Sequence, residues 1–184
     1  MTSSGESGSG PVRIGILVAS DRASRGEYED LSGKAIEGFL RKVISSQWTP
    51  ILRIVPDGIE SVSKTLTELA DRDGCDLVLT TGGTGPAPRD LTPEATRAVI
   101  ERELPGFGEL MRQVSLTQVP TAILSRQLAG TRGKCLIVNL PGRPSSIELC
   151  LNAVFPAIPY CLDLMGAGRI EARPEVCAVF CPAK

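Results

Sequence analysis

The chain has 184 residues, a length that suits one domain with a sizeable hydrophobic core. Its 20 Lys and Arg residues against 21 Asp and Glu residues give a formal net charge of −1, and it has one Trp, two Tyr and four Phe, so neither charge nor base stacking favours nucleic-acid binding. The chain contains no histidine, which excludes a Ser-His-Asp triad, a Cys-His pair and histidine ligands to a metal. Any acid–base or metal chemistry must then use carboxylates, Lys, Tyr, Cys or bound water, and enzymes limited in this way often bind hard cations such as Mg²⁺ through Asp and Glu.

The first residues are rich in Ser and Gly and lack the apolar core of a signal peptide. We expect a flexible tail over residues 1–10 and a single domain over 11–184. No apolar run approaches the roughly 20 residues that a membrane span needs, so we expect a cytoplasmic protein with no membrane partner. The six cysteines form no Cys-x-x-Cys pair, and we expect them to be reduced and mostly buried.

Apolar patterning along the rest of the chain predicts alternating strands and helices. The strands are predicted at 12–19, 50–55, 75–80 and 134–140, with an additional edge strand at 176–180. The helices are predicted at 31–44 (capped by Asp30 or Ser32), 59–69, 92–103, 106–116 and 121–129, followed by a long helix from Ser145 that breaks or kinks at Pro156 and Pro159. This alternation predicts a mostly parallel sheet with helices on both faces.

A glycine-rich segment, TTGGTGPAPRD, follows the third predicted strand and occupies residues 80–90. It leads into a helix that we expect to begin with Thr92 as N-cap and Pro93 in the first turn. The segment lacks the Lys-Ser/Thr pair of a P-loop and the third glycine of the dinucleotide fingerprint. It is therefore a phosphate loop of another kind or an ordinary strand-to-helix turn.

Polar or charged residues follow each of the four main predicted strands, at 20–21, at Asp57, at 82–90 and at 141–145. If these strands are parallel, the four loops meet at one edge of the sheet. Ligand sites of α/β proteins form at the carboxyl ends of their strands, so we expect the functional site there.

Seven motifs occur in order along the chain: SDRAS at 20–24, PD at 56–57, TTGGTGPAPRD at 80–90, TPEA at 92–95, PGFG at 105–108, AILSR at 122–126 and NLPGRP at 139–144. Together they resemble the molybdopterin adenylyltransferases of the MogA type and the related G domains of plant and animal molybdenum-cofactor proteins such as gephyrin. The resemblance covers about residues 12–164. It implies a three-layer αβα fold with a mostly parallel (mixed) central sheet.

The activity that the resemblance implies is a nucleotidyl transfer. AMP passes from Mg-ATP to the terminal phosphate of molybdopterin, giving adenylyl-molybdopterin and pyrophosphate, in the biosynthesis of the molybdenum cofactor. Such a reaction needs positioning and neutralisation of phosphate charge more than a protein nucleophile, which agrees with the absence of histidine.

The resemblance implies that Asp57 and Asp90 are catalytic and share the Mg²⁺ that accompanies ATP. Glu94 is a further, weaker metal candidate. The residues implied to bind ATP are Gly82, Gly83, Thr84 and Gly85. From the residues alone, Asp57 also suits a Pro-Asp-Gly turn, Asp90 a loop cap or a partner for Arg89, and Glu94 a favourable charge in the first turn of a helix.

The residues implied to bind molybdopterin are Ser20, Asp21, Ser115, Ser125, Arg126, Gly142, Arg143 and Ser145. Arg143 stands where we expect a smaller polar residue in relatives, and a cation there would suit a phosphate. From the residues alone, Ser125 could instead bond back to the backbone, and Arg126 could be a surface charge.

The resemblance also implies a homotrimer and a molybdenum insertase as the downstream partner. Two other functions belong to the same fold: a non-catalytic trimeric scaffold, and a MoaB-like or insertase-type domain that binds the pterin without adenylylating it efficiently. The presence of both Asp57 and Asp90 argues against a scaffold, and the complete PAPRD and AILSR segments argue against the second alternative.

Overall fold

The computed structural model describes residues 10–182, so the predicted tail lies outside the described residues except for Gly10. The strands and helices in chain order are β1 (Val12–Ala19), α1 (Asp21–Ser24), α2 (Leu31–Val43), β2 (Trp48–Val55), α3 (Ile59–Thr67), β3 (Leu77–Thr81), α4 (Thr92–Arg97), β4 (Arg102–Glu103), α5 (Pro105–Leu116), β5 (Ala129–Arg132), β6 (Cys135–Leu140), α6 (Pro144–Val154) and α7 (Ile158–Met165). A π-helical turn (Glu68–Arg72) continues α3, and short 3₁₀ helices span Pro120–Leu124 and Phe155–Ala157.

The six strands form one mixed sheet in the order β2-β1-β3-β6-β5-β4. Neighbouring strands among β1, β2, β3 and β6 are parallel, with Ile16 opposite Leu52 on one side and opposite Leu79 on the other. Strand β5 runs antiparallel to β6, and β4 runs antiparallel to β5. The predicted mostly parallel sheet is therefore confirmed, and the carboxyl ends of its four parallel strands share one edge.

Helices cover both faces of the sheet and complete three layers. On one face, the buried residues Ile36 and Leu40 of α2 and Leu151 of α6 pack against the sheet together with residues of α5 and α7. On the other face, Leu66 of α3 and Ala95 of α4 pack against a second cluster. The central strands β1, β3 and β6 are largely apolar because they are buried on both sides, and the three-layer αβα prediction is confirmed.

Local capping agrees with the sequence at one helix and differs at another. Asp30 caps α2, as one of the two predicted residues, by accepting hydrogen bonds from the amides of Ser32 (3.0 Å) and Gly33 (2.9 Å). At α4, Leu91 is the N-cap and Thr92 is the first helical residue, so the helix begins one residue earlier than predicted. Ser145 does not cap α6 either, because that helix begins at Pro144.

Three predicted elements are wrong. The helix predicted at 92–103 ends at Arg97, after which the amides of Glu101 and Leu104 bond to carbonyls of β5 as the chain becomes the outer strand β4. The helix predicted at 121–129 is a 3₁₀ helix followed by β5. Residues 176–180 form no strand, since the amide of Val176 turns back to the carbonyl of Arg173. The first two segments contain strands because β4 pairs with β5 and β5 pairs with β6. A local apolar pattern does not reveal such pairing.

The stretch Pro144–Met165 forms a continuous helical run of 22 residues that is long and apolar enough to cross a membrane. The expectation that no apolar run reaches this length was therefore wrong. Ile147, Leu151 and Leu162 of this run are fully buried against the sheet. Its apolar character is explained by its place in the core.

The six cysteines are free thiols, and Cys75, Cys135, Cys150 and Cys177 are buried, as predicted. Burial raises the pKa of Cys75 to about 12 and raises the pKa of Cys135 as well. These thiols stay protonated at neutral pH, so they are unreactive core residues.

Candidate active site

The loops that follow β1, β2, β3 and β6 contact one another at the carboxyl edge of the sheet, as predicted. The loops after β1 and β2 are joined by a reciprocal pair of bonds, in which the amide of Asp21 donates to the carboxylate of Asp57 (3.2 Å) and the amide of Asp57 donates to that of Asp21 (3.1 Å). The hydroxyl of Thr81 at the end of β3 donates to the carbonyl of Pro141 after β6 (2.7 Å). The site is therefore assembled from four distant parts of the chain.

One cavity at this edge, of about 190 Å³, has charged walls, and we call it the carboxylate cavity. Its lining includes both predicted catalytic residues, two of the predicted nucleotide-binding glycines and a cation. The polar and glycine residues that line it are Ser20, Tyr28, Ser32, Asp57, Thr81, Gly82, Gly83, Arg89, Asp90 and Gly142.

A second cavity, of about 400 Å³, has walls that are mostly neutral, and we call it the hydroxyl cavity. Among the residues that line it are Thr84, Gly85, Ser115, Ser125, Gln127, Gly142, Arg143, Ser145 and Ser146. Five of the eight predicted molybdopterin residues are brought together here. Gly142 lines both cavities, so the two spaces adjoin.

Asp57 occupies an environment that disfavours its charge. Burial raises the pKa of its carboxyl group, and the negative charges of Asp21 and Asp90 add to this, while the Asp21 amide and Arg89 oppose it. The carboxylate of Asp90 accepts a hydrogen bond from the amide of Ala87 (3.1 Å) within its own loop. Two neighbouring carboxylates that repel each other form a site at which a cation is favourable.

The donor set fits a magnesium ion that is shared with phosphate. Mg²⁺ prefers oxygen ligands and is commonly held by one or two carboxylates, with waters and substrate phosphates completing its octahedron. Asp57 and Asp90 supply two such carboxylates in one cavity. Within residues 10–182 no group of three or more His, Cys, Asp or Glu residues is placed to hold a metal by itself. The arrangement therefore suits a cation that arrives with its ligand.

The glycine turn after β3 is enforced by close packing. Gly82 has φ +96°, and a Cβ atom there would lie 2.2 Å from the carbonyl oxygen of Ala19. Gly83 has φ +62°, and a Cβ atom there would lie 2.5 Å from the hydroxyl oxygen of Thr92. Since both positions require a left-handed backbone and leave no room for a side chain, the turn brings the β3 backbone directly against the end of β1.

A chain of buried and half-buried polar groups lies along the hydroxyl cavity. The hydroxyl of Ser125 donates to the side-chain carbonyl of Gln127 (2.6 Å), and the amide nitrogen of Gln127 lies 3.7 Å from the sulfur of Cys150. The hydroxyl of Ser115 lies 3.6 Å from the same sulfur. Ser125 thus bonds to Gln127 and not back to the backbone. Sulfur is a weak hydrogen-bond partner, so Ser115 and Gln127 retain capacity for a stronger one.

Arg126 and Glu94 line neither cavity. The guanidinium of Arg126 donates to the carbonyl of Gly85 (2.9 Å) and to the carbonyl of Asp90, and it forms an ion pair with Glu94. Burial disfavours the charged form of Glu94, but the hydrogen bond and charge of Arg126 outweigh this, and the pKa of Glu94 is lowered. Asp21 likewise lines neither cavity and faces Asp57 through the loop pair described above.

The lining also includes residues that were not predicted as site residues, among them Tyr28, Ser32, Arg89 and Gln127. Arg89 places a cation in the carboxylate cavity, and its position beside Asp90 in the glycine-rich segment was the available signal. The hydroxyl of Ser32 donates to the carbonyl of Gly142 (2.7 Å), so it tethers the loop that borders both cavities. Gln127 is 3% exposed, and its position directly after the AILSR motif was the available signal.

The parallel sheet, the convergent loops and the two adjoining cavities define an α/β protein with a two-part ligand site at the carboxyl edge of its sheet. A family model described as "Probable molybdopterin binding domain" matches residues 15–160. The chain belongs to this molybdopterin-binding family, which confirms the resemblance found in the motifs.

Individual relatives cover almost the whole chain. A molybdopterin adenylyltransferase from Helicobacter pylori strain J99 is 55% identical over 93% of this chain and 97% of its own length. One from Escherichia coli K12 is 46% identical over 93% of this chain and 94% of its own length. The crystal structure of the molybdopterin biosynthesis enzyme MoaB from Thermus thermophilus superposes with a TM-score of 0.79 at 46% identity, covering 87% of this chain and 99% of that one.

Proposed function

We propose that the protein is a molybdopterin adenylyltransferase of molybdenum cofactor biosynthesis, transferring AMP from Mg-ATP to the terminal phosphate of molybdopterin with release of pyrophosphate. The observation that carries this proposal is the pair of adjoining cavities, one with two carboxylates and a cation, the other with hydroxyl and amide groups. Direct transfer between two bound substrates requires that their sites adjoin. The activity named for the relatives at 46–55% identity supports the same conclusion.

The carboxylate cavity would take the phosphates of ATP. Asp57 and Asp90 would hold the Mg²⁺, which supplies positive charge to the phosphate oxygens when bound. The backbone of Gly82 and Gly83 would approach the phosphates closely because these residues carry no side chain. Thr84 and Gly85 line the hydroxyl cavity and would contact the nucleotide from the side of the second substrate.

The hydroxyl cavity would take molybdopterin. Ser115, Ser125 and Ser145 offer hydroxyl groups to the hydrogen-bonding edge of a pterin, and Arg143 offers a charged partner for its terminal phosphate. Gly142 borders both cavities and would lie beside the phosphate that is to be adenylylated. Ser20 lines the carboxylate cavity and Asp21 lies behind it, so their contact with molybdopterin would be confined to its phosphate end.

The chemistry needs no covalent enzyme intermediate. A terminal phosphate oxygen of molybdopterin attacks the α-phosphorus of ATP, a new phosphorus–oxygen bond forms, and the bond to the bridging oxygen breaks to release pyrophosphate. The protein holds both phosphates in line and neutralises their charge, and Arg89 adds a cation to the carboxylate cavity for this purpose.

We further propose a cytoplasmic homotrimer, with a molybdenum insertase as downstream partner. Large apolar side chains lie exposed where α5 and the following 3₁₀ helix meet, at Leu116 (44%), Val119 (43%), Ile123 (70%) and Leu124 (52%), and a second copy of the chain would cover them. Sedimentation velocity at micromolar protein concentration tests the assembly, and a monomer under these conditions would contradict it.

A second candidate is a pterin-binding protein without transferase activity, of the MoaB-like kind. The observation in its favour is the 46% identity to the Thermus thermophilus protein whose structure bears the MoaB name. This candidate predicts that molybdopterin binds and that no adenylyl product forms.

The two candidates are separated by incubating the full chain with molybdopterin, ATP and Mg²⁺ and measuring adenylyl-molybdopterin by mass and pyrophosphate by a coupled assay. Asp57→Ala and Asp90→Ala are compared with Asp163→Ala, which removes an exposed carboxylate of α7. Product from the wild type and from Asp163→Ala, with loss of turnover in the other two, supports the transferase. Molybdopterin binding without product at any Mg²⁺ concentration supports the second candidate.

A further inference from the structure

Arg126 connects both ends of the loop of residues 84–90, which we call the 84–90 loop. Its side-chain Nε donates to the carbonyl of Gly85 (2.9 Å), near the start of the loop, and its Nη2 donates to the carbonyl of Asp90 at the end. Its backbone amide also donates to the carbonyl of Thr84 (2.9 Å). One residue therefore supplies a donor to three carbonyls of the loop.

Glu94 holds the guanidinium in this orientation. It lies on α4, just after the 84–90 loop, and forms an ion pair with Nη1 of Arg126. A guanidinium presents its donors in a rigid planar fork, so fixing one arm on a carboxylate directs the remaining arms. Both side chains are 35% exposed, which leaves the guanidinium partly shielded from water at the base of the loop.

The segment that carries Arg126 also lines the hydroxyl cavity. Ser125 has an extended backbone, φ −73° and ψ 131°, and successive side chains of an extended segment point to opposite sides. Accordingly Ser125 and Gln127 face the hydroxyl cavity, and Arg126 between them faces the 84–90 loop. Three consecutive residues thus contact both halves of the site.

We propose that Arg126 is a positioning residue that holds the 84–90 loop, and with it the carboxylate of Asp90, in the place that the reaction requires, and that it does not contact molybdopterin. Glu94 is then the partner that orients Arg126 and not a metal ligand. The effect on catalysis rests on the proposed function, whereas the restraint on the loop does not.

The first measurement follows amide hydrogen exchange of residues 82–94 in the full chain without substrates. Arg126→Met removes the side-chain donors, keeps the backbone hydrogen bond to Thr84 and keeps an unbranched side chain. We expect exchange within the 84–90 loop to become at least about tenfold faster, since a loop that loses its hydrogen bonds opens more often. The matched control is Arg97→Met on α4, which breaks the ion pair of Arg97 with Glu103 and leaves the loop contacts intact.

The second measurement is steady-state kinetics of adenylylation with the same variants. We expect Arg126→Met to lower kcat by about 10- to 100-fold and to raise the Mg²⁺ concentration at half-maximal activity, as is typical when a residue that orients a metal ligand is lost. The KM for molybdopterin is expected to stay within about twofold, which corresponds to no lost hydrogen bond. A general loss of stability would not produce this division between kcat and KM.

Two milder substitutions keep the test decisive if Arg126→Met does not fold. Arg126→Lys retains the charge but not the fork, and we expect intermediate exchange and intermediate kcat. Glu94→Gln keeps the shape of the side chain and removes its charge, and it should speed exchange in the 84–90 loop. If Glu94 were a metal ligand, Glu94→Gln would raise the Mg²⁺ requirement and leave exchange unchanged.

The proposal is overturned if Arg126→Met, or Arg126→Lys in its place, leaves exchange and kcat as in the wild type while the KM for molybdopterin rises about tenfold. That result would make Arg126 a substrate contact, as the resemblance implies. If the wild type itself forms no product, the proposed function fails, and exchange in the 84–90 loop still decides whether Arg126 restrains it.

Discussion

The carboxylate cavity and the hydroxyl cavity share Gly142, yet their walls differ in charge. Asp57, Asp90 and Arg89 face the first, whereas serine hydroxyls and the amide of Gln127 face the second, with Arg143 as its cation. Charged groups are costly to remove from water unless an opposite charge meets them. The carboxylate cavity is therefore arranged for a ligand that brings its own charges, and the hydroxyl cavity for one recognised by hydrogen bonds.

The two cavities also differ in the kind of structure that forms them. The carboxylate cavity lies where parallel strands end, and most of its residues belong to the loops after those strands. The hydroxyl cavity lies largely between the end of α5, the 3₁₀ helix at Pro120–Leu124 and the start of α6. Interactions with charged groups are stronger than neutral hydrogen bonds, so substitutions of the carboxylates in the first cavity should have the larger consequences.

The largest effect is expected from Asp57→Asn. The substitution removes one of two carboxylates while keeping an oxygen that accepts the hydrogen bond from the amide of Asp21. We expect adenylylation to fall by at least about 100-fold, the usual loss when a group that stabilises charge in the transition state is removed. Molybdopterin binding, followed by fluorescence titration, should stay unchanged. A parallel loss of pterin affinity would contradict the assignment of ATP to one cavity and of molybdopterin to the other.

The next effect is on stability, from Gly82→Ala. A Cβ atom would meet the carbonyl oxygen of Ala19 at 2.2 Å in a backbone with φ +96°. Strain of this kind costs about 1–3 kcal/mol, to which the clash adds. Gly38→Ala, in the interior of α2 with nothing within 4 Å of the added atom, is the control and should be stabilising by about 0.5–1 kcal/mol. Urea unfolding measures both, and equal free energies of unfolding would contradict the packing argument.

A smaller effect is expected in the hydroxyl cavity from Ser125→Ala. The variant loses a hydroxyl that donates to Gln127 at 2.6 Å and lines the cavity. One neutral hydrogen bond contributes about 1 kcal/mol, so the KM for molybdopterin should rise about fivefold and the KM for Mg-ATP should not change. Thr117→Ala removes an exposed hydroxyl at the end of α5 and is the control. A change in the KM for Mg-ATP alone would assign Ser125 to the other cavity.

The smallest effect concerns the stability of Asp57→Asn as a function of pH. Because burial raises the pKa of Asp57 above its ordinary value of 3.8, the folded state favours the protonated form. The contribution of protonated Asp57 to the free energy of unfolding is complete below pH 3.8, and it is lost as the pH rises through the pKa of Asp57 in the folded state. Asp57→Asn should therefore be slightly more stable than the wild type at pH 7 and equally stable below pH 3.8. Urea midpoints at about pH 7 and about pH 3.5 measure this, and a less stable variant at neutral pH would contradict the sign.

Most of the parallel part of the fold could be predicted from sequence because three of its four strands, β1, β3 and β6, are buried and largely apolar. Val12–Ala19 and Cys135–Leu140 have almost no exposed residue, and their sequences alone indicate strands. Arg102–Glu103 and Ala129–Arg132 carry no such pattern, and they are strands only because they pair with each other and with β6. Because α5 and a 3₁₀ helix lie between β4 and β5 in the chain, the pairing of these two strands depends on the tertiary structure and not on the local sequence.

The candidate site also has a part that could be predicted from the sequence and a part that could not. Asp57, Asp90 and the glycine turn follow predicted strands, so their convergence followed from a parallel sheet. The orientation of Arg126 could not be predicted, because its partners Gly85, Asp90 and Glu94 lie 32 to 41 positions earlier in the chain. Gln127 is buried with its side-chain amide beside the sulfur atoms of Met111 and Cys150, which belong to the distant helices α5 and α6. A motif identifies such residues but does not say which way their side chains face.

The position of Gly142 on the border of both cavities has a consequence for the order of events. If the two ligands occupy adjoining spaces, neither must leave before the other enters, and the transfer takes place within a ternary complex. Double-reciprocal plots of initial velocity against either substrate should then intersect, whereas a ping-pong enzyme would give parallel lines. The adenylyl group would pass directly from one phosphate to another, without a stage at which the protein carries it.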